Sequence, residues 1–508
     1  MSSSYKHIFT SLLILATILT GCDFPISSGS SMSSSSSFFN EARIDEYQET
    51  LTPSIPYLTA DYALPTLDNH HDGVNLSWES ADLSIIDNVI VYPHPGQDME
   101  ITITAVIAKD AELVSLSFPL LVKSQLDVPE YEFRPVLSLN LDDGRRENEI
   151  YYEGYLRASA SVNADVNGNS INQIIESPMG IRTRGHTTRF MPKRSYRVRF
   201  DENTSLYGMK PAKNYILLAN YLDRSLVRNS LVIWMSKFYQ KTMYTLDYRF
   251  VDLNINGTYY GQYLLTERVE FQKNRLNITP NMEFDDAGFL VELDYQVYVQ
   301  NLGNENLEWF RMNDTPYVIK EPNPLDMDIG YKFKHTRYIN NYFHATRDAL
   351  IAKTDYESYL DAENWLDYFL IQEITKNVDV GWGSVFMVKE TGGKLKHMPL
   401  WDFDLAIGNA DYVDAGPEGH WGWKTYNKNY FFTLLMEIPE LQARFKEKLL
   451  DFQTNILPRV LAWLTDNEAR LVMLSAANFT KWPMNSCNGW CPIPTDIKNL
   501  TSIGQQFD

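Results

Sequence analysis

The sequence predicts a multidomain protein in which a small all-β module precedes a larger α+β domain. The chain has 508 residues, more than one ordinary domain contains. Residues 66–125 alternate apolar and polar side chains between turn signals, as half-buried strands do. From about residue 130 onward, strand patterns are followed by amphipathic helical patterns. These observations define the predicted fold class.

The composition is that of a globular protein with an acidic surface. Hydrophobic residues make up 44% of the chain, which is enough for a large core. The formal net charge is −20. Because nucleic acids bind basic surfaces, this charge argues against nucleic acid as a partner.

The first 22 residues have the pattern of an export signal. Lys6 is followed by an apolar run from Ile8 to Leu19, which is too short for a comfortable membrane span. The run ends Leu-Thr-Gly-Cys, and this resembles the bacterial lipobox, whose cysteine becomes the lipidated first residue of the mature chain. The resemblance implies that residues 1–22 are a lipoprotein signal peptide. It also implies that the protein is exported and anchored to a membrane through Cys22.

Residues 23–65 are predicted to be a linker. They contain a serine-rich tract over 27–37 and a polar stretch interrupted by proline, and both compositions favour an extended, unfolded chain. Residues 66–125 resemble the immunoglobulin-like modules of bacterial surface proteins. That resemblance implies a β-sandwich used as a spacer or for adhesion, and the alternative is a packed β domain without such a role.

The remaining chain divides into a domain over 130–465 and a C-terminal extension over 466–508. Within the extension, Cys487 and Cys491 are close together and beside a proline. In an exported protein this spacing predicts a disulfide that closes a small loop. A zinc site would need further ligands.

Local signals in the larger domain predict three elements that bear on function. Asn256-Gly257 between two alternating segments predicts a β-hairpin. Asp223 is expected to cap a helix over 224–238. Trp401–Leu405 has strand-like alternation, which would direct Asp402 and Asp404 to one face.

Basic residues are concentrated between residues 181 and 200, although the protein is acidic overall. The segment contains Arg184 and Lys193, together with Gly185, which permits close approach of the backbone. The pattern predicts an anion site, and the alternative is a solvated basic strand. Glu267 ends an alternating strand, where it is placed either to pair with a lysine of another strand or to face solvent.

Acidic residues form a second group. Asp379 follows an amphipathic helix and enters a glycine-containing loop, a common location for catalytic acids. Two carboxylates on one face repel each other unless a cation lies near them, and Mg²⁺ is commonly held by one or two carboxylates. Asp402 and Asp404 are therefore candidate metal ligands. The alternatives are turn chemistry at Asp379 and surface acids on an edge strand at the other two positions.

Residues 130–450 resemble the spore coat protein H (CotH) kinase family. The segments that carry the resemblance follow the family's order: IRTRGHTTRFMPKRSYRVRF, NYILLANYLDRSLVRNSL, LNINGTYYGQYLLTERVE, GFLVELD, EITKNVDVGWGSVFMVKE and LWDFDLAIGN. The resemblance implies an atypical protein-kinase-like fold. It also implies transfer of phosphate from ATP to Ser or Thr of partner proteins, with Mg²⁺ or Mn²⁺.

The resemblance assigns roles to individual positions. Lys193 would contact the nucleotide phosphates together with Arg184, and Glu267 would form an ion pair with Lys193. Asp379 would orient the acceptor hydroxyl. Asp402 would bind the metal, with Asp404 as a second contact. The separation 402 − 379 = 23 matches that of the family's two acids.

Two further functions are compatible with the same residues. One is a non-catalytic surface lipoprotein that binds or adheres while keeping the kinase-like fold. The other is a metal-dependent hydrolase that uses Asp402 and Asp404, but it leaves the basic strands unexplained.

Overall fold

The fold is described from a computed structural model of the chain. It describes residues 38–494 apart from the segments 54–57, 59–61, 68–72, 87, 91–98, 123–134, 153, 165–169, 187, 274, 279–285, 298–307, 324–327, 413–428 and 484–490. The described residues form two compact units. One unit lies within Arg134–Asn455 and Leu471–Asp508, and the other lies within Leu19–Phe133 and Ile456–Arg470.

The smaller unit begins with helix α1 (Glu41–Leu51). Asn40 caps this helix, because its side chain accepts a hydrogen bond from the Arg43 amide at 3.0 Å. Tyr47 and Leu51, which are one helical turn apart, are buried in the core of the unit. This part of the chain is therefore folded, in contrast to the linker predicted over 23–65. The helical spacing of the two apolar residues is the physical reason.

Six strands complete the described part of this unit: β1 (Tyr62–Ala63), β2 (Asn75–Glu79), β3 (Ile85–Ile86), β4 (Val89–Ile90), β5 (Met99–Lys109) and β6 (Glu112–Val122). They form two three-stranded sheets with the orders β2-β5-β6 and β1-β4-β3. Trp78 on β2 packs against Phe118 on β6, with ring centroids 5.6 Å apart. The segment is rich in strands, as predicted, and its likeness to an immunoglobulin module remains a prediction.

The same unit includes Ile456–Arg470, although this segment is distant in sequence. Arg459 donates hydrogen bonds to the carbonyl oxygens of Ser80 at 2.9 Å and of Leu83 at 3.0 Å. The smaller unit is therefore discontinuous in sequence, which corrects the prediction that residues 130–465 all belong to the larger domain.

The larger unit contains a closed barrel of seven strands: β7 (Val136–Leu141), β8 (Leu156–Ala164), β9 (Ser170–Arg184), β10 (Ser195–Thr204), β11 (Ala212–Leu218), β12 (Tyr248–Ile255) and β13 (Thr258–Glu267). Their order around the barrel is β10-β11-β13-β12-β7-β8-β9. On β10 the apolar side chains are buried while Arg197 and Arg199 are more exposed, as the alternation predicts. Asn256 and Gly257 join β12 to β13 with φ values of +50° and +74°, which confirms the predicted hairpin.

A five-stranded antiparallel sheet follows: β14 (Phe289–Leu293), β15 (Trp309–Met312), β16 (Thr315–Glu321), β17 (Val385–Lys389) and β18 (Lys396–His397), in the order β15-β16-β14-β17-β18. The helices of this part of the chain are α2 (Arg228–Ser236), α3 (Ile329–Ala352), α4 (Ala362–Ile374), α5 (Tyr430–Leu435), α6 (Pro439–Asp451) and α7 (Leu457–Lys481), with a short π-helix over Phe452–Ile456 between the last two. Phe343 of α3 packs against both Tyr317 of β16 and Phe431 of α5. The larger unit is thus a mixed α and β domain.

The C-terminal end of α7 packs against β13 within the larger unit. The side chain of Asn478 accepts a hydrogen bond from the Gln262 amide at 3.2 Å, and the Trp482 indole donates one to the Tyr260 carbonyl at 2.7 Å. Between these two contacts lies Gly261, whose φ is +115°.

None of the helices within the described residues is both long enough and apolar enough to span a membrane.

Candidate active site

A cavity of about 900 Å³ lies where the barrel meets the five-stranded sheet. Strands β9, β10 and β11 form one wall, strands β14 and β16 form a second, and the loops after α4 and β18 form a third. Four predicted site residues line it: Arg184, Asp379, Asp402 and Asp404. The structure therefore brings the predicted acids and one predicted cation together.

Asp379 lies in the loop that follows α4. Lys376 has a φ of +50°, a left-handed conformation that turns the chain out of the helix. The Asn377 side chain accepts a hydrogen bond from the Asp379 amide at 3.1 Å, and the Asp379 carbonyl accepts one from the Trp382 amide at 2.8 Å. Burial raises the pKa of Asp379 to about 7, and the charge of Asp402 adds to the increase. A carboxylate with this pKa is suited to accept a proton near neutral pH.

Asp402 and Asp404 lie in an irregular loop, so the strand predicted over Trp401–Leu405 is wrong. Asp402 has a φ of +69°, which strand residues do not adopt. The Phe403 amide donates its hydrogen bond to the side chain of Asn229 at 2.7 Å rather than to a neighbouring strand. The loop is held by a side chain of α2, and both aspartates still line the cavity.

Asp379, Asp402 and Asp404 consequently share one cavity, which Glu292 and Asp294 also line. Burial raises the pKa of Asp404 well above its ordinary value, and the charges of Asp402, Asp223 and Asp379 add to the increase. The Ser384 hydroxyl donates a hydrogen bond to the Asp402 carboxylate at 3.1 Å. A bound cation would relieve the repulsion among these acids.

Arg228 holds the loop that carries Asp402 and Asp404, here called the acidic loop. It is fully buried, forms an ion pair with Asp223, and donates hydrogen bonds to the carbonyl oxygens of Ala406 at 3.0 Å and Ile407 at 3.3 Å. The helix predicted over 224–238 begins only at Arg228, where Asp223 accepts a hydrogen bond from the first helical amide at 2.8 Å. Both residues act by positioning the loop.

Lys193 is not part of the cavity. It is 1% exposed, and its ammonium donates hydrogen bonds to the Ala219 carbonyl at 2.7 Å and to the Gln262 carbonyl. The ammonium also lies 4.6 Å from the centroid of the Tyr263 ring. Burial lowers the pKa of Lys193 well below its ordinary value. These contacts tie strands of the barrel together, and they place the amine away from the lining of the cavity.

Glu267 does not pair with Lys193, so the predicted ion pair is wrong. Its carboxylate accepts a hydrogen bond from the Tyr244 hydroxyl at 2.5 Å and lies 3.4 Å from the Arg275 guanidinium. Burial raises the pKa of Glu267, while Tyr244 and Arg275 oppose the increase. The residue is 1% exposed and is structural in this arrangement.

An ion pair that the sequence pattern does not predict lies in the cavity wall. Lys320 on β16 and Glu292 on β14 approach to 2.8 Å, and both line the cavity. Burial lowers the pKa of Lys320, but the charge and hydrogen bond of Glu292 together with the charge of Asp294 raise it above its ordinary value, so the amine remains protonated. Glu292 is paired with Val318 in the sheet register, and Lys320 lies two residues further along β16, where the register shifts between the pairs of Val291 and Leu290. A known register of the two strands would have revealed the pair.

Of the two cations predicted to bind phosphate, Arg184 lines the cavity and Lys193 does not. Its guanidinium lies 5.3 Å from the centroid of the Trp401 ring. Burial lowers the pKa of Arg184, while the charges of Asp402 and Glu292 oppose the decrease. The cavity thus places two cations, Arg184 and Lys320, near the acids.

Asp402 and Asp404 are suited to bind a divalent cation whose other ligands come from a bound phosphate and water. Asp402 and Asp404 offer carboxylate oxygens, which Mg²⁺ prefers. Among the described residues, no three or more His, Cys, Asp or Glu side chains converge into a complete metal site. Since Mg²⁺ usually completes its shell with phosphate oxygens and water, two carboxylates are sufficient for a metal shared with a phosphate.

The predicted cysteine chemistry falls largely outside the described part of the chain. Cys22 and Cys487 both lie outside the described residues. Cys491 is disulfide-bonded. Its pairing with Cys487 and the lipidation of Cys22 remain predictions.

The fold and the cavity define a mixed α and β protein whose site combines buried acids with basic side chains. A protein-family model described as CotH kinase protein matches residues 181–484, which is more than half of the chain. The chain belongs to the CotH kinase family. A search of curated proteins found no match. The matched range includes the three acids, Arg184 and Lys320, as well as Lys193 and Glu267.

Proposed function

We propose that this protein is an exported, membrane-anchored kinase that transfers phosphate from ATP to Ser or Thr of other proteins. The observation that carries the proposal is the grouping of three acids with Arg184 and Lys320 in one cavity. Phosphoryl transfer requires positioned groups and charge neutralisation more than covalent chemistry, and this set supplies both. Membership of the CotH kinase family supports the same reaction.

The roles follow from the surroundings of each residue. Arg184 and Lys320 bind the phosphates. Asp379 receives the proton of the acceptor hydroxyl as its oxygen bonds to the γ-phosphorus; the bond from that phosphorus to the β–γ bridging oxygen breaks, and ADP leaves. Asp402 and Asp404 would hold Mg²⁺ or Mn²⁺, which neutralises phosphate charge when bound. The buried Arg228 keeps the loop that carries these acids in place.

Replacement of the acids tests the reaction. Asp402→Asn removes a metal ligand, so binding of Mg-ATP and turnover should both fall. Asp379→Asn should lower turnover by about 10²- to 10³-fold and reduce ATP binding less, because its role is at the acceptor hydroxyl. The measurements are phosphate incorporation from labelled ATP into the protein itself and into a Ser-rich acceptor, and thermal shift with Mg-ATP.

The matched control is Asp348→Asn, an exposed carboxylate on α3. It should leave incorporation unchanged. Equal incorporation by the wild type and both site variants, each shown to be folded, would exclude the proposed roles. Absence of both ATP binding and incorporation in the wild type would favour the non-catalytic adhesion protein.

Membrane anchoring is a separate part of the proposal. It rests on the resemblance of the first 22 residues to a lipoprotein signal peptide. Cys22→Ser should prevent lipidation, so the protein should move to the soluble fraction or keep its signal peptide. Membrane fractionation and intact mass measure both outcomes, and an unchanged result would contradict lipidation at this cysteine.

A further inference from the structure

Three arginines line the cavity wall in addition to Arg184. Arg182 on β9 lies directly opposite Arg197 on β10 in the strand register, and Arg268 follows the end of β13. All three line the cavity. Like charges directly opposite each other in a sheet are destabilising, so their placement calls for an explanation.

The first two guanidiniums are held by neutral partners. Arg182 donates a hydrogen bond to the Tyr152 carbonyl at 2.9 Å, and Arg197 donates to the side-chain oxygen of Asn214 at 2.8 Å. Both lie near the Tyr155 ring, at 5.3 and 5.7 Å from its centroid. These contacts fix the positions of the guanidiniums and leave their charge uncompensated.

One described carboxylate lies within the cluster. Glu270 forms an ion pair with Arg268. Three guanidiniums against one carboxylate leave about two positive charges, which matches the charge of a phosphate monoester near neutral pH. The Nε of Arg182 is buried and has no hydrogen-bond partner among the described residues. Burial lowers the pKa of Arg197 to about 10, and the neighbouring Arg268 and Arg182 add to the decrease.

The cluster is distinct from the cation next to the acids. Arg184 lies two residues from Arg182 on β9, which corresponds to about 7 Å along the strand. The charges that act on Arg184 are those of Asp402, Glu292 and Asp404. The largest charge effects on Arg197 come from Arg268, Tyr155, Arg182 and Glu270. Phosphates next to the acidic loop would therefore meet Arg184 and Lys320. Arg268 borders Lys320, whose pKa its charge lowers, whereas Arg182 and Arg197 remain for another anion.

We propose that Arg182, Arg197 and Arg268 bind a phosphoserine or phosphothreonine already present on the acceptor polypeptide. This inference rests on the proposed kinase function and names its substrate class as Ser/Thr segments that already carry a phosphate. The phosphate already on the acceptor would bind in the same cavity as the acidic loop. A phosphorylated residue would therefore position a neighbouring Ser or Thr hydroxyl at that loop. Transfer to one residue then favours transfer to the next.

The test uses the full chain and three otherwise identical peptides that place serine, aspartate or phosphoserine near an acceptor serine. For the wild type, kcat/KM and the affinity measured without ATP should both be highest for the phosphoserine peptide, by about 10- to 100-fold over the serine peptide. In the double variant Arg182→Gln/Arg197→Gln, the ratio of the phosphoserine to the serine peptide should fall towards one, both for kcat/KM and for affinity. Arg197→Lys keeps the charge and should retain part of the preference. The exposed Arg199→Gln, on the same strand, should retain it fully.

The outcomes separate this inference from the proposed function. Turnover without any preference for the phosphoserine peptide would overturn the inference and leave the kinase assignment intact. No turnover of any peptide would overturn the kinase assignment, and the binding preference would then decide the inference by itself. Equal affinity for the aspartate and phosphoserine peptides would overturn the specificity for phosphate. A rise in KM for ATP in the double variant, without loss of the peptide preference, would assign the cluster to the nucleotide.

Discussion

Lys193 and Lys320 are two lysines of one domain with opposite surroundings. Lys193 donates its hydrogen bonds to backbone carbonyls of the barrel, whereas Lys320 lines the cavity and pairs with Glu292. A lysine can bind a nucleotide phosphate only if its amine reaches the cavity. We therefore propose the phosphate-binding role for Lys320.

We expect Lys320→Met to weaken ATP binding by about 10- to 100-fold, because it removes a charged hydrogen-bond donor and leaves Glu292 unpaired. The matched variant Lys193→Met should leave the ATP affinity of the folded protein nearly unchanged. It should lower the free energy of unfolding by about 1–3 kcal/mol, since two buried carbonyls lose their donor. Calorimetric ATP titration and urea unfolding measure the two effects, and the reverse pattern would restore Lys193 to the site.

The residues that the sequence did and did not identify differ in a physical way. Asp379 and Asp402 were singled out from the motif segments that carry the family resemblance, and both line the cavity. The positive φ of Asp402 has no signature in the alternation of the sequence, so the strand prediction failed. The pair formed by Lys320 and Glu292 depends on the register of two strands. Whether the Lys193 amine reaches the cavity depends on the direction its segment faces in the closed barrel. Neither can be read from spacing alone.

At the scale of elements, the contact between β13 and the end of α7 depends on one glycine. A Cβ on Gly261 would lie 2.9 Å from both the Asn478 and the Trp482 side chains and 3.1 Å from Lys193. Its φ of +115° is also strained for any residue with a side chain. The strand and the helix can therefore meet only if this position has no side chain.

We expect Gly261→Ala to lower the free energy of unfolding by about 2–3 kcal/mol, because it combines backbone strain with close contacts. The control is Gly257→Ala in the hairpin, where φ is +74° and a Cβ would meet nothing within 4 Å. The control should cost only about 1 kcal/mol, from strain alone. Urea unfolding compares them, and equal losses would mean that the helix end does not restrict this strand.

The elements themselves were largely predictable from the sequence. The hairpin at Asn256-Gly257 and the alternating strand β10 follow local rules that operate within a few residues. The late start of α2 does not, because the Asp223 carboxylate pairs with the Arg228 guanidinium and accepts the hydrogen bond of the Arg228 amide, so the helix begins there. Local patterns predict the start of a helix well where the capping side chain does not also pair with a buried charge.

At the scale of the whole molecule, the smaller unit depends on a segment that is remote in sequence. The sequence of 456–470 continues a helical pattern, so its place in the smaller unit could not be predicted from composition. Arg459 makes the contacts that are easiest to test, since its guanidinium is the donor to two backbone carbonyls of that unit.

We expect Arg459→Ala to destabilise the smaller unit by about 1–3 kcal/mol, because it leaves the carbonyls of Ser80 and Leu83 without their donor. Binding of Mg-ATP by the larger unit should be retained. The control is Arg337→Ala, an exposed arginine on α3. Limited proteolysis should cut the Arg459 variant faster within residues 38–122, and equal cutting of both variants would show that this contact contributes nothing.

The discontinuous smaller unit also sets an order of events during synthesis. Its residues leave the ribosome early, yet Leu83 and Arg459 are 376 positions apart in the chain. Domains at the N-terminus usually fold first as the chain emerges. Here the first domain to be made must wait for helix α7 before its structure is complete. For a chain that crosses a membrane before it folds, as the proposed export requires, this delay keeps the leading segment open until most of the polypeptide has been made.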